Sequence, residues 1–281
     1  MPRPSTAPMR RIGLAATALL CVACATLPVL TAAESGPPWR PVAEGIQYAA
    51  FAAGSPRSEV HALLVDLDRA TLVVTPGGSG YGRVVGRSLL EFAREFDCAA
   101  AVNATPFYPD SYRREGPRYL SGVLLVDGEL LSPPAPRFVA LALTREGQAR
   151  VVAQSELADK TSFDLAVGGF FRLIEGGRVV ARKSGREPMT AAGILEGGRR
   201  LVFIVVDGRR PGTAGMSEEE AARLLLRLGA VEALSFDGGG SSSMALRGED
   251  GRLRLVNLPL HLGLPPIDRI LGTCIGFKPR S

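Results

Sequence analysis

Histidine is nearly missing from this chain of 281 residues, which holds only His61 and His261. One falls in an expected strand and one in an expected loop, and both read as structural. They form no His-Glu-x-x-His pattern, so a zinc hydrolase of that type is excluded. No Gly-Lys pair occurs, which removes a phosphate-binding P-loop. The single serine run lacks the Gly-x-Ser-x-Gly spacing of a nucleophile elbow. Lysine is scarce as well. Lys160, Lys183 and Lys278 are its only occurrences among 33 basic residues, leaving 30 arginines, a bias that coding preference explains. Of four cysteines, Cys21 and Cys24 sit in the amino-terminal apolar segment. The remaining two, Cys98 and Cys274, are too few for a zinc site by themselves. In an oxidising compartment they either pair or stay as buried thiols. No exact internal repeat is present.

The formal charge of +5 invites a nucleic-acid reading, but Arg3, Arg10 and Arg11 supply three of those charges. Without residues 1–33 the net charge is 5 − 3 = +2, since the first acidic residue is Glu34. No basic stripe with interleaved aromatics remains, and nucleic acid is not an expected partner. Those arginines precede the apolar run from Ile12 to Leu30, which ends in Thr31-Ala32-Ala33. That order is the layout of a secretory signal peptide. A retained membrane anchor is the alternative, and Cys24 offers a lipidation site. The expected location is periplasmic or secreted, with a lipoprotein as a variant. Residues 1–33 are thus read as signal peptide, 34–45 as a Pro-rich linker, and 46–279 as one domain.

Over the whole chain, 46% hydrophobic and 22% charged residues describe an ordinary globular composition. Thirty-three glycines and 21 prolines indicate many turns between short strands. Hairpins are expected around 66–69, Asp127-Gly128, 145–147, 175–177, Gly197-Gly198 and 248–251. Ser88 with Glu91, and Ser217 with Glu220, are capping-box spacings that open two helices. The second carries Ala221, Leu224, Leu225 and Leu228 on one face and ends at Gly229. It joins an apolar strand, Leu201–Val206, to a second strand, Val231–Phe236, so the order strand–helix–strand predicts a parallel pair with a right-handed crossover. The fold class read from this pattern is α+β, with mixed sheets rich in antiparallel hairpins and at least one βαβ unit.

Each of those two strands runs into an aspartate followed by glycine, Asp207 and Asp237. As neighbours, their ends would lie about 4.8 Å apart on one sheet edge, where ligands of such sheets gather. Two carboxylates there can divide the roles of glycoside cleavage, or they can simply cap turns. Asp237 opens Gly238-Gly239-Gly240-Ser241-Ser242. Three consecutive glycines are costly unless the backbone bends sharply or meets a ligand closely. Successive N–H groups in such a turn form an anion-binding concavity, and the serine hydroxyls add donors. Glu218, Glu219 and Glu220 read as helix-capping charges.

The ordered set Val206-Asp207-Gly208-Arg209, Gly215-Met216-Ser217, Leu228-Gly229-Ala230 and Asp237 to Ser242 resembles the phosphodiester glycosidase family. The likeness extends over about residues 60–277. It is weaker at Asn103 with Phe107, at 168–177 and at Asp268-Arg269. The resemblance implies hydrolysis of a sugar-1-phosphodiester, or a related envelope polysaccharide linkage, at the anomeric carbon and without a cofactor. It implies carboxylate work for Asp207 and Asp237. It places Asn103, Phe107, Thr190, Arg209, Gly238, Gly239, Gly240, Ser241, Ser242 and Arg269 around the substrate. This chain departs from the pattern where Ala104-Thr105-Pro106 follows Asn103 and where Met189 stands in place of an arginine. A non-catalytic glycan-binding or polymer-assembly accessory with the same fold is the alternative.

Overall fold

The computed structural model describes residues 36–78, 80–109, 116–158, 162–182, 184–260 and 268–280. The expected signal segment with Cys24, and His261, lie outside the described residues.

Strands predominate, and every strand pairing among the described residues is antiparallel. An eight-stranded central sheet runs in the order 40–43, 46–53, 58–66, 200–206, 189–195, 230–235, 172–175, 178–179. A carboxyl-terminal sheet of five strands has the order 253–255, 244–247, 100–103, 274–279, 70–74. A third five-stranded sheet holds 129–132, 124–126, 163–168, 139–144 and 149–153.

Alternation along each strand tells which layers meet. Leu201, Phe203 and Val205 enter one core with Ala100, Val102, Ile275 and Phe277 of the carboxyl-terminal sheet and Leu124, Leu141 and Val167 of the third. Phe203 stacks on Phe236 and meets Phe277 at a tilt, with ring centroids 6.4 and 4.9 Å away. Val202, Ile204 and Val206 face the other way, onto helix α2, Glu218–Arg227. Ala221, Ala222, Leu224 and Leu225 cover that face, and each leucine buried there contributes about 2 kcal/mol. Helix α1, Leu89–Glu95, packs Leu89, Phe92 and Ala93 on the outer face of the carboxyl-terminal sheet. With seven residues it is too short to stand alone, so tertiary packing holds it. Ser88 and Ser217 cap the two helices with Glu91 and Glu220 in reciprocal capping boxes.

The hairpins at 127–128, 145–147, 175–177, 197–198 and 248–251 all form. Asp127 and Gly128 both have positive φ, 51° and 75°, as the mirror-image turn of a two-residue hairpin requires. Three expectations change. Strands 58–66 and 70–74 do not pair; the turn between them carries the chain from the central sheet to the carboxyl-terminal one. The parallel neighbours expected around α2 are not adjacent. Strand Met189–Leu195 lies between Arg200–Val206 and Ala230–Ser235, antiparallel to both. Both outer strands still run the same way, but two strand spacings separate them instead of one. The segment Arg40–Ala43, read as linker, pairs with Ile46–Ala53 as an edge strand. Cys98 and Cys274 are free thiols, both buried under α1. Burial lifts the Cys98 thiol to about 11 and raises that of Cys274 as well.

Candidate functional site

Strand Ala230–Ser235 delivers Asp237 to the end of strand Ala100–Asn103 of the carboxyl-terminal sheet, which grips its backbone. The Asp237 N–H donates to Ala104 O at 2.9 Å, and its carbonyl accepts from Asn103 Nδ2 at 2.7 Å. Asn103 Oδ1 in turn accepts from Thr190 Oγ1 at 2.6 Å and from the Ser243 N–H at 3.0 Å. Asn103 and Thr190 are fully buried, so they position the turn from behind. Removing the Asn103 amide would cost the buried Thr190 hydroxyl and Ser243 N–H their bonds to Oδ1, at about 1–3 kcal/mol each.

After Asp237 the chain turns through Gly238 and a single 3-10 turn, Gly239–Ser241. Gly239 has φ +58°, and its N–H donates to Pro188 O at 2.8 Å. A Cβ there would stand 3.2 Å from the Arg209 guanidinium, so only glycine allows Arg209 to lie this close. Arg209, itself at φ +61°, is steadied by a 2.6 Å bond from its Nε to Glu187. Ser241 and Ser242 are buried and do not line the cavity. Their hydroxyls have no hydrogen-bond partner among the described residues.

In front of this turn is a cavity of about 460 Å³. Asp237 lines it together with Arg137, Arg209 and Arg269, Gly238 to Gly240, and the rings of Phe107, Tyr108, Phe138 and Phe170. Among the described residues Asp237 is the only carboxylate in its wall. Arg269 sits 5.3 Å from the Phe107 ring centroid and Arg137 4.6 Å from that of Phe138. Asp268, next to Arg269, accepts from the Leu89 and Leu90 N–H groups, so the first turn of α1 fixes where Arg269 starts. Arg118 lies buried close by, and burial first, then the Arg269 charge, lower its pKa. An anion is the natural occupant of such a wall.

Asp207 lies elsewhere. It is 2% exposed, and its carboxylate accepts from Arg210 Nη2 at 2.9 Å, Asn257 Nδ2 at 2.9 Å and the Leu258 N–H at 3.1 Å. Asp207 is not among the residues lining the Asp237 cavity, and strand 189–195 stands between the strands that lead to the two aspartates. Sequence reading missed Arg137, Phe138, Phe170 and Asn257. Arg137-Phe138 precedes an ordinary strand, and nothing local marks it.

A family model for phosphodiester glycosidase matches residues 96–278. The chain belongs to the phosphodiester glycosidase family. No curated protein matches it. Its fold is similar to the zebrafish N-acetylglucosamine-1-phosphodiester alpha-N-acetylglucosaminidase catalytic domain auto-inhibited by pro-peptide, with TM-score 0.63 and 18% identity. That likeness covers 91% of this chain and 87% of the zebrafish one. A hypothetical protein from Synechocystis is similar over 88% of this chain, with TM-score 0.61 and 17% identity. This chain spans 64% of the Synechocystis protein's length. At identities this low, these similarities show a shared fold alone.

In this member of the phosphodiester glycosidase family a second cavity, about 350 Å³, adjoins the first through Phe170, Arg209, Gly238 and Gly239. Met189 and Glu187 line it, and so does Glu218. Two of the three glutamates at the start of α2 behave as read: Glu220 closes the capping box and Glu219 pairs with Arg223 on the surface. Glu218 is 9% exposed, and burial raises its pKa despite Arg182 at 3.9 Å. Between the ordinary carboxylate value and the raised one, the folded state holds a proton on Glu218 that the unfolded chain has released. Its contribution to stability falls as pH rises from the ordinary carboxylate value of 4.5 through the raised one. Glu218→Gln should match the parent in urea unfolding at about pH 4 and exceed it at pH 7. An equal gap at both pH values would refute that assignment.

Proposed function

We propose that this domain hydrolyses a sugar-1-phosphodiester, or a related phosphodiester-linked envelope glycan, at the anomeric carbon. One observation carries the reading: three guanidinium groups, Arg137, Arg209 and Arg269, share a cavity with the single carboxylate of Asp237. A phosphodiester is an anion, and planar guanidinium groups match its oxygens with paired N–H donors. The Gly238–Gly240 backbone reaches the same space without side chains to obstruct it. Aromatic walls at Phe138 and Phe170 offer flat faces to a pyranose ring.

In this scheme the arginines hold the phosphate while the bond from the anomeric carbon to the phosphate oxygen breaks. The electron pair leaves with the phosphate monoester, whose charge the same arginines stabilise as it grows. Asp237 acts at the anomeric carbon, as nucleophile or as the base that takes a proton from attacking water. As base, Asp237 takes the proton of the water whose oxygen becomes the sugar hydroxyl; as nucleophile, it forms a glycosyl ester that water then cleaves, restoring the carboxylate and releasing a proton to solvent. A leaving group that is already a stable anion needs little help from an acid. Asp207 anchors Asn257 and Leu258 in this reading and takes no part at the anomeric carbon.

The setting proposed is outside the cytoplasm, from the basic, apolar and small-residue order of residues 1–33. No helix among the described residues is long and apolar enough to cross a membrane. The deciding experiment incubates the purified protein with sugar-1-phosphodiesters differing in sugar. Reducing sugar should appear in equal amount to a phosphate monoester. Release of inorganic phosphate or of free alcohol with the sugar phosphate intact would overturn the reading.

A further inference from the structure

Beside the cavity stands a small sheet of three strands, Phe107–Tyr108, Pro117–Leu120 and Arg83–Val85. Residues directly opposite one another in such a sheet project to the same face. Tyr108 is opposite Tyr119, and Tyr119 is opposite Arg83, so the three form one row across the sheet. Val84 and Arg118 belong to the opposite face and are buried. The row is open: Tyr108 is 71% exposed and Tyr119 48%, with the Arg83 guanidinium 5.7 Å from the Tyr119 ring centroid. Tyr81 and Val85 are also exposed beside it, so four of the seven large apolar side chains exposed among the described residues gather here. Tyr108 belongs to this row and also lines the Asp237 cavity, while its neighbour Phe107 packs under Arg269.

We infer that this row is a binding platform for a glycan chain, which it leads from the surface into the cavity. The inference rests on the reading of the cavity as a sugar site and adds that the substrate is a polymer or oligosaccharide, engaged at units beyond the one cleaved. The row spans about two strand spacings, roughly 10 Å, which suits successive sugar units. Exposed tyrosines present a flat π face to ring C–H groups and a hydroxyl tip to the sugar hydroxyls. Arg83 adds donors and a positive charge for phosphodiester links along the chain. A stable protein partner needs about 800 Å² on each side, more than five exposed side chains supply. The platform also continues into the cavity through Tyr108, which favours one ligand occupying both.

The test uses the full chain and Tyr119→Ala, with Tyr119→Phe as the conservative variant. Tyr119 does not line the cavity, and its exposure predicts an unchanged unfolding midpoint. Affinity electrophoresis in gels containing a phosphomannan measures polymer binding. Hydrolysis of mannosyl 1-(methyl phosphate) measures the cavity alone. Polymer affinity should fall about fivefold to tenfold in the Ala variant and stay near parent in the Phe variant. Hydrolysis of the small diester should not change between parent and variants. Polymer binding that depends on Tyr119 in a protein inert toward both substrates would sink the hydrolytic proposal and keep the platform. Equal polymer binding by parent and Ala variant would overturn the platform. So would a parent without polymer affinity, or one that forms a concentration-dependent dimer lost in Tyr119→Ala while polymer binding persists.

Discussion

Asp237→Asn should lower turnover of a sugar-1-phosphodiester by roughly three orders of magnitude or more while the protein stays folded. The separation of these effects follows from the geometry. The fold holds this residue by its backbone, through Ala104 O and the Asn103 amide, so an isosteric amide leaves those bonds intact. What changes is the charge at the cavity wall, where three arginines remain. Inorganic phosphate should therefore still bind the variant, and removing the opposing carboxylate should tighten it. Rates measured at saturating substrate, beside the unfolding midpoint and phosphate affinity, check all three expectations. Parent-level turnover in a folded Asn variant would remove Asp237 from the chemistry.

Asp207→Ala should act on stability instead, costing about 3 kcal/mol. The carboxylate is buried and satisfied by Arg210, Asn257 and Leu258. Its loss leaves the Leu258 N–H without an acceptor. Asn257 keeps its bond to Ser242 O, and Arg210 keeps Glu59, which limits the damage. For a domain of this size the melting temperature should fall by roughly 10 °C. Turnover per folded molecule, measured well below that midpoint, should remain within a few-fold of the parent. A variant of parent-like stability that has lost its activity would reverse the roles assigned to the two aspartates.

The contrast between these residues shows what local sequence can and cannot convey. Asp207 and Asp237 look alike in the chain, each an aspartate before glycine at the end of a strand. Leu201–Val206 was legible because it is apolar at every position, whereas Glu232 and Ser235 interrupt Val231–Phe236. The unbroken pattern reports two covered faces and carries no information on which strand is the neighbour. The chain before the first strand supplied the answer: Met189–Leu195 folds back through Gly197-Gly198 and also pairs with Ala230–Ser235. Asp237 shares a cavity with Arg137, Arg209 and Arg269, while Asp207 is held by Arg210, Asn257 and Leu258. The turn between 58–66 and 70–74 failed as a hairpin for a similar reason, since each strand found a better-matched edge in a different sheet.

By itself the sequence determined the short-range features: the two capping boxes, the hairpins at Asp127-Gly128 and Gly197-Gly198, and the glycine turn beside Asp237. These depend on φ preferences and on hydrogen bonds between residues two to four apart, which neighbouring residue types settle. Family membership was likewise written in an ordered set of motifs. Only the tertiary structure decided which side chains share a cavity. Arg137, Arg209, Asp237 and Arg269 come from four separate parts of the chain and carry no mark of one another. Sheet pairing and core packing bring them together, and both depend on contacts between residues far apart in sequence.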